Sequence, residues 1–304
     1  MKRSIGFFIN SNGYGHYDRC MQIASHLDSS IHITFYGKFF QYKKIGHPGN
    51  ATFIASNKDT IRWDKSIKNN RVRFKSYQNG LKEHKELLKE HDVVITDNIV
   101  GILKYRPDAI LSGSFFWKDV YFDKFGPNKL SDFDHNLLVK YNPLIITNKY
   151  FETGTVKDYN HKLQFGLGCK QNKYSFNTTE KILFIEPSLN YISTYKNFIT
   201  KLDKHNISTD IKDTDNSVLV ARPGGGIITY CIKKQLPLIA LYDENDSNEI
   251  LELADRIEVL GLGKKQNVKD VFKNPFVDNS IYEKLNIESD GFKLTAQYIN
   301  KLLL

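Results

Sequence analysis

Short apolar runs alternate with stretches of helical periodicity along most of the chain. The run SIGFFIN, residues 4–10, predicts the first strand. Behind it, apolar residues recur at the spacing of one helix face, at Tyr17, Cys20, Met21, Ala24 and Leu27. Because strands separated by helices form parallel sheets, this alternation predicts an α/β protein with a doubly wound sheet.

The alternation continues through the sequence and is interrupted once. Further strands are predicted at IHITFYG, ATFIA, DVVITD, DAILSG, PLIIT, KILFIE, SVLVA and LPLIALY. Further helices are predicted at 77–91, 189–205, 247–261 and 292–304. The pattern lapses into Gly, Asn, Ser and Thr around LQFGLGCKQNKYSFNTTEK, which is typical of a linker.

The restart after this lapse favours two consecutive Rossmann-like domains over one continuous sheet. We expect a first domain at 1–165, a linker at 166–180 and a second domain at 181–285. The last segment, 286–304, is expected to be a helix that packs back on the domains. A length of 304 residues suits two domains of ordinary size.

Composition and charge narrow the class of protein. The chain is 40% hydrophobic and 25% charged, as in soluble globular proteins, and no apolar run is long enough to span a bilayer. The net charge of +9 is spread over scattered lysines. It indicates either a solvated basic surface or attraction to anionic lipid or an acidic substrate. No nucleic-acid motif accompanies the charge, so nucleic acid is not an expected partner. We expect a cytoplasmic protein, with peripheral contact at the inner face of the membrane as an option.

The cysteines carry no visible chemistry. Cys20, Cys169 and Cys231 are far apart and match neither a metal-ligand spacing nor a disulfide framework. The sequence therefore predicts no metal site.

The turn after the first strand, SNGYGHYDRC, is the first candidate site. Gly13 and Gly15 permit positive φ angles and close approach of a ligand to the backbone. His16 and Arg19 lie one turn apart at the helix start, where an anion or polar ligand is readily held. The turn lacks the third glycine of the dinucleotide fingerprint, and no acidic residue ends the second strand. This argues against a nicotinamide or flavin cofactor, and no P-loop pattern is present.

A second candidate is the glycine run in SVLVARPGGGIITYCIKK. Arg222 and the glycines Gly224, Gly225 and Gly226 separate a strand from a helix expected to begin near Ile227. Backbone amides at such a helix start suit a diphosphate, to which Arg222 adds charge. The alternative is a tight turn without a ligand.

A third candidate is Asp97, at the end of the predicted strand DVVITD. In doubly wound sheets the first and fourth strands are commonly neighbours, and ligands bind where the strand order reverses. His16 and Asp97 would then lie side by side, and the carboxylate would orient the imidazole as a general base. Alternatively, Asp97 is a helix N-cap and His16 an ordinary turn residue.

These motifs resemble the nucleotide-sugar glycosyltransferases of the two-domain GT-B fold. The segment NGYGHYDRC fits the G-x-G-H-x-x-R opening of glycosyltransferase family 28, the N-acetylglucosaminyltransferases of peptidoglycan synthesis and their relatives. The more specific likeness is ARPGGGIITYCIKKQLPLIALYDENDSNEILELADRIEVLGLG in the second half. Residues 40–90 and 115–215 show no match.

The resemblance implies an N-terminal acceptor domain and a C-terminal donor domain that face each other across a cleft. It implies transfer of a hexosyl or N-acetylhexosaminyl group from a nucleotide sugar, expected to be a UDP-sugar, to a surface-polysaccharide or lipid-linked acceptor in cell-envelope synthesis. The displacement would be inverting and independent of metal or cofactor, with His16 at the acceptor hydroxyl and Asp97 as its partner. The candidate donor-binding residues are Arg222, Gly224, Gly225, Gly226, Thr229, Asp246 and Asn248, and the candidate acceptor residues are Gly13, Gly15 and Arg19.

Departures from the family pattern leave two alternatives open. Tyr230 stands where the family has a ribose-binding glutamate, the segment NDSN replaces its usual glutamine, and FIEPSLN lacks expected glycines. A nucleotide-sugar hydrolase, in which His16 activates water, is the first alternative. A catalytically silent nucleotide- or sugar-binding protein is the second.

Overall fold

The computed structural model describes residues 3–60, 70–168, 181–184, 207–208, 217–234, 236–270 and 287–304. The chain divides into two compact units, Met1–Gly168 with Asp290–Leu304, and Cys169–Ser289. The helix predicted at 189–205 and most of the expected linker at 166–180 lie outside the described residues.

The first unit is built on a seven-stranded parallel sheet. Its strands are β1 (Ser4–Phe8), β2 (His32–Gly37), β3 (Ala51–Ala55), β4 (Val93–Asp97), β5 (Ile110–Ser112), β6 (Ile145–Asn148) and β7 (Lys162–Phe165). Its helices are α1 (Gly15–Ala24), α2 (Phe39–Ile45), α3 (Asn70–Lys82), α4 (Trp117–Phe125) and α5 (Lys129–Tyr141). The strand order is β3-β2-β1-β4-β5-β6-β7, so the direction of winding reverses between β1 and β4.

The central strand β1 is apolar because it is covered on both faces. Ile5 and Phe7 belong to one buried cluster with residues of α1, and Phe8 belongs to another beneath the opposite face. Strands buried on both faces read as continuous apolar runs, which explains why SIGFFIN was recognisable.

The C-terminal helix completes the layer that contains α1. This helix, Gly291–Leu302, buries Ala296 and Ile299 in the same cluster as α1. Arg3 Nη2 also donates a hydrogen bond to the carbonyl oxygen of Leu304 at 2.8 Å. The two ends of the chain therefore meet in the first unit.

The structure corrects the helix predicted at 77–91. The helix α3 ends at Lys82, and only a short 3-10 turn follows at Leu87–Glu90. The Glu83 carboxylate accepts hydrogen bonds from the backbone N–H groups of Asn57 and Lys58, and His84 Nε2 lies 2.9 Å from Ser56 Oγ. These contacts to the loop after β3 draw the chain away from the helix axis, which periodicity alone does not reveal.

The second unit repeats the same plan on a smaller sheet. Its described strands are β8 (Lys181–Phe184), β9 (Ile207–Ser208), β10 (Ser217–Ala221), β11 (Leu238–Tyr242) and β12 (Gly263–Asn267), in the parallel order β12-β11-β10-β8-β9. Its described helices are α6 (Gly225–Lys234) and α7 (Asn248–Val259), so the C-terminal helix of the chain is α8. Two Rossmann-like α/β sheets are therefore present, which confirms the predicted fold class. No helix among the described residues is long and apolar enough to cross a membrane.

Candidate active site

The glycine turn after β1 leads directly into α1. Gly13 has a φ of +59°, in the left-handed region that favours glycine. Gly15 is the first residue of α1 and does not have a positive φ, so only Gly13 uses the left-handed conformation that both glycines permit. The reason is that the helix begins as soon as the chain has turned at Gly13.

A buried glutamine from the next helix holds this turn in place. Gln41 of α2 donates from Nε2 to the carbonyl oxygens of Asn10, at 2.9 Å, and Gly13, at 2.7 Å. Its Oε1 accepts a hydrogen bond from the backbone N–H of Lys38 at 2.9 Å. The turn, the start of α1 and α2 are thereby tied into one substructure.

His16 and Asp97 meet at the carboxyl ends of β1 and β4. Their Nδ1 and Oδ2 atoms are 2.7 Å apart, and the side chains are 19% and 0% exposed. At this distance the two side chains are in direct polar contact. With Nδ1 turned to the carboxylate, Nε2 is the ring nitrogen left to exchange a proton with a ligand.

Asp97 also pairs with Arg19, one turn further along α1. Arg19 Nη2 donates to Oδ1 of the same carboxylate. Burial raises the pKa of Asp97, but the charge of Arg19 and the interactions with Arg19 and His16 outweigh burial and hold that pKa below its usual value. A buried aspartate thus stays ionised near neutral pH. Asp97 is not a helix N-cap, because the 3-10 turn that follows is capped by Ile99.

Further residues near this pair are Trp117, Asn98 and Gly113, none of which was a candidate site residue. The ring centroids of His16 and Trp117 are 6.3 Å apart. Asn98, next to Asp97, has a φ of +57°, and its side chain occupies the space that a Cβ at Gly113 would need. The available signal was the position of Gly113 at the end of the predicted strand DAILSG, because strand ends on this edge of a parallel sheet lie together.

In the second unit, Arg222 follows β10 and is held by an acidic partner. Its Nε and Nη2 atoms lie 3.1 and 3.0 Å from Oδ1 of Asp246, whose side chain is almost fully buried. The other oxygen of Asp246 accepts a hydrogen bond from the backbone N–H of Asp243 at 2.9 Å. Two of the predicted donor-binding residues are therefore in contact.

The three glycines after Arg222 lie at the start of α6. The helix begins at Gly225, two residues before the predicted start at Ile227, because the glycines themselves adopt the first turn. A Cβ added to Gly224, Gly225 or Gly226 would meet no atom within 4 Å, and none of the three has a positive φ. Neither packing nor backbone geometry in the described structure therefore requires glycine there.

The remaining predicted donor residues are Thr229, in α6, and Asn248, in α7. Thr229 Oγ1 donates a hydrogen bond to the carbonyl oxygen of Gly225 at 2.8 Å. The hydroxyl hydrogen of Thr229 is therefore used within the helix. Asn248 is exposed at the first position of α7. Tyr230 is partly buried, and burial raises the pKa of its hydroxyl.

Comparison with known proteins identifies the fold of the chain but not its family. No family model matches the sequence, and no curated protein matches it. Among solved structures, the calicheamicin glycosyltransferase CalG4 is similar at 12% identity and a TM-score of 0.59, over 100% of this chain and 94% of that one. The spinosyn rhamnosyltransferase SpnG, complexed with thymidine diphosphate, is similar at 10% identity and a TM-score of 0.54, over 99% and 96% of the two chains.

A plant enzyme shows the same likeness. Arabidopsis thaliana UGT89C1, complexed with quercetin, is 9% identical with a TM-score of 0.54, over 99% of this chain and 94% of that one. At these identities the likeness establishes architecture alone. The chain therefore has the GT-B fold, with two Rossmann-like domains. The more specific resemblance to family 28 stays a prediction.

Proposed function

We propose that the protein is a glycosyltransferase that moves a sugar from a nucleotide-sugar donor to an acceptor hydroxyl. The observation that carries this proposal is the contact between His16 and Asp97, 2.7 Å apart where the strand order of the first sheet reverses. Parallel α/β sheets bind ligands at that position. An imidazole in contact with a buried ionised carboxylate is suited to proton abstraction.

The proposed reaction uses His16 as the general base. Nε2 takes the proton of the acceptor hydroxyl as its oxygen forms a bond to the anomeric carbon of the donor. The bond from that carbon to the nucleotide diphosphate breaks, and the diphosphate leaves with the electron pair. Attack opposite the leaving group inverts the anomeric configuration. The proposed reaction uses neither a metal nor a cofactor. Asp97 is a positioning residue, because it stabilises the imidazolium that forms.

The donor is assigned to the glycine loop of the second unit. The first amide groups of a helix lack intrahelical acceptors and carry partial positive charge, which suits a leaving diphosphate. Open space above Gly224, Gly225 and Gly226 lets phosphate oxygens approach those amides. Asp246 fixes the guanidinium of Arg222 next to the loop. A UDP-sugar carrying a hexosyl or N-acetylhexosaminyl group is the proposed donor, and a nucleoside diphosphate is bound in the similar structure of SpnG.

The proposed acceptor is a surface polysaccharide or a lipid-linked glycan of the cell envelope. The net charge of +9 would attract the protein to an anionic acceptor or to anionic lipid, which supports this proposal. On this proposal the protein works in the cytoplasm, at the inner face of the membrane.

A two-stage assay tests the proposal. Thermal-shift measurements with nucleoside diphosphates and nucleotide sugars should show stabilisation by one donor class. Turnover of that donor should then require an acceptor. Donor cleavage at the same rate without an acceptor would identify a hydrolase, and binding without any turnover would identify a silent binding protein. Either result contradicts the transferase assignment, as does the absence of binding.

A further inference from the structure

The surface beside the His16 turn carries aromatic rings exposed to solvent. Tyr14, Phe39 and Phe40 are 41%, 60% and 45% exposed, and they account for three of the four exposed large aromatic side chains in the described part of the chain. Lys43 and Lys44 of α2 are exposed on the same short helix. We refer to these five residues as the aromatic–lysine patch.

Direct contacts join Tyr14, Phe40 and Lys44, and Phe39 and Lys43 belong to the same short helix as Phe40 and Lys44. The rings of Tyr14 and Phe40 meet edge to face with centroids 5.5 Å apart. The Nζ atom of Lys44 lies 4.2 Å from the centroid of the Tyr14 ring, a cation–π contact. Phe39 is the most exposed member, although burying a phenylalanine is favourable by about 1.5–3 kcal/mol. Grouped exposed rings of this kind mark an interaction surface.

The patch is also fixed to the candidate catalytic turn. Tyr14 directly precedes Gly15 and His16, and Gln41 within α2 donates to the carbonyl oxygen of Gly13. A surface that engages Phe39 and Phe40 would therefore be held close to His16.

The charge of the patch identifies the partner as anionic. The helix α2, FFQYKKI, contains no acidic residue. Lys38, just before it, pairs with Asp59 at 2.9 Å, so its charge is balanced. Asp18 is an exposed acid on α1, one turn from Tyr14. Its single negative charge is outnumbered by the two positive charges of Lys43 and Lys44.

We propose that the aromatic–lysine patch docks on an anionic lipid surface. Aromatic rings favour the headgroup level of a bilayer, and lysines beside them attract lipid phosphates. This deepens the proposed function, on which it rests for its purpose, because it brings His16 to the level at which a lipid-linked acceptor presents its hydroxyl. Vesicle binding is measured without nucleotide, so its outcome is independent of whether transfer occurs.

The test is co-sedimentation of the full chain with phosphatidylcholine vesicles, with and without phosphatidylglycerol. The parent protein should bind the mixed vesicles and bind neutral ones much more weakly. The variant K43E/K44E should lose at least about tenfold in affinity, since each lysine near an anionic surface contributes roughly fivefold. The variant F39S should also weaken binding, and its site is exposed enough to leave folding unaffected.

Matched controls separate the patch from general charge and hydrophobicity. K233E/K234E makes the same charge change at two consecutive exposed lysines of α6, and F122S changes an exposed phenylalanine of α4. Both controls should bind like the parent. Failure of the parent to bind mixed vesicles, or equal losses in the controls, would overturn the proposal. So would a parent dimer in solution that F39S converts to a monomer, because a second copy would then be the occupant.

Discussion

His16 shares the single carboxylate of Asp97 with Arg19, and each basic group faces a different oxygen of it. This arrangement keeps the aspartate ionised although it is buried, and it orients the imidazole through Nδ1.

Replacement of His16 with alanine should lower turnover by about 10²–10⁴-fold, the usual contribution of a general base. Donor affinity should stay close to that of the parent, because the proposed donor loop belongs to the other unit. Asp97→Asn should lose less activity, since the side chain keeps its shape but loses the charge that stabilises the imidazolium.

Steady-state turnover and calorimetric donor binding test this prediction together. His26→Ala is the matched control, because His26 is an exposed histidine just beyond α1. Full activity of His16→Ala would return His16 to the role of an ordinary turn residue. Loss of donor binding along with activity would instead make it a ligand contact.

Gly225→Val should remove diphosphate binding without harming the fold. Because a Cβ at this position meets no protein atom, the added side chain would fill the space proposed for the phosphate. We expect nucleotide affinity to fall at least about tenfold, or about 1.4 kcal/mol, with a melting temperature close to that of the parent. Calorimetry and thermal unfolding measure the two quantities.

Gly49→Val serves as the control for this change. Gly49 is exposed in the first unit, also has open space at its Cβ position and does not have a positive φ. It should leave nucleotide affinity unchanged. If the Gly225→Val protein folds and binds nucleotide with the parent's affinity, the assignment of the diphosphate to the glycine loop is wrong.

Asp134 should make the protein less stable as the pH rises toward 8. Its carboxyl is fully buried and accepts a hydrogen bond from the Tyr77 hydroxyl at 2.9 Å. Burial raises the pKa of Asp134 to about 8, with the Tyr77 hydrogen bond and the charge of Lys118 opposing that rise. In the unfolded chain the pKa is about 3.9, so the folded state holds an extra proton between these values. The stabilising contribution is complete below about pH 3.9 and is lost as the pH rises through about 8, at up to about 1.4 kcal/mol per pH unit.

Asp134→Asn should remove this dependence, because the amide oxygen still accepts from Tyr77 and does not ionise. Denaturant unfolding should be measured at several pH values from about 4 to about 9, which spans the two pKa values. The free energy of unfolding of the variant should rise relative to that of the parent as the pH increases to about 8. Asp132→Asn, at an exposed position of the same helix, is the control and should follow the parent. Parallel curves for Asp134→Asn and the parent would contradict the prediction.

Much of the fold is readable because the signals are local. SIGFFIN and DVVITD are apolar runs of strand length, and both strands are present. The neighbour relation of β1 and β4 followed from a general rule of doubly wound sheets, which is why His16 and Asp97 could be expected together.

Other elements lacked such signals. The strand β12, GKKQN, is largely polar and is a strand because it pairs along its length with β11. The strand β7 includes LQF, which belonged to the stretch interpreted as a linker. The start of α6 at Gly225 was missed because glycine has low intrinsic helix propensity.

The α/β class, the glycine turns and the placement of His16 at a helix start follow from the amino-acid sequence, since each depends on residues close together in the chain. That Arg19 shares Asp97 with His16, and that Asp246 holds Arg222, is visible only once distant segments have packed together. The tertiary structure also shows that Asp134 is buried against Tyr77, and that Phe39 and Phe40 are exposed beside the turn that carries His16. The physical reason is that ion pairing and burial depend on which distant segments pack together, and neither is encoded in the local spacing of apolar and polar residues.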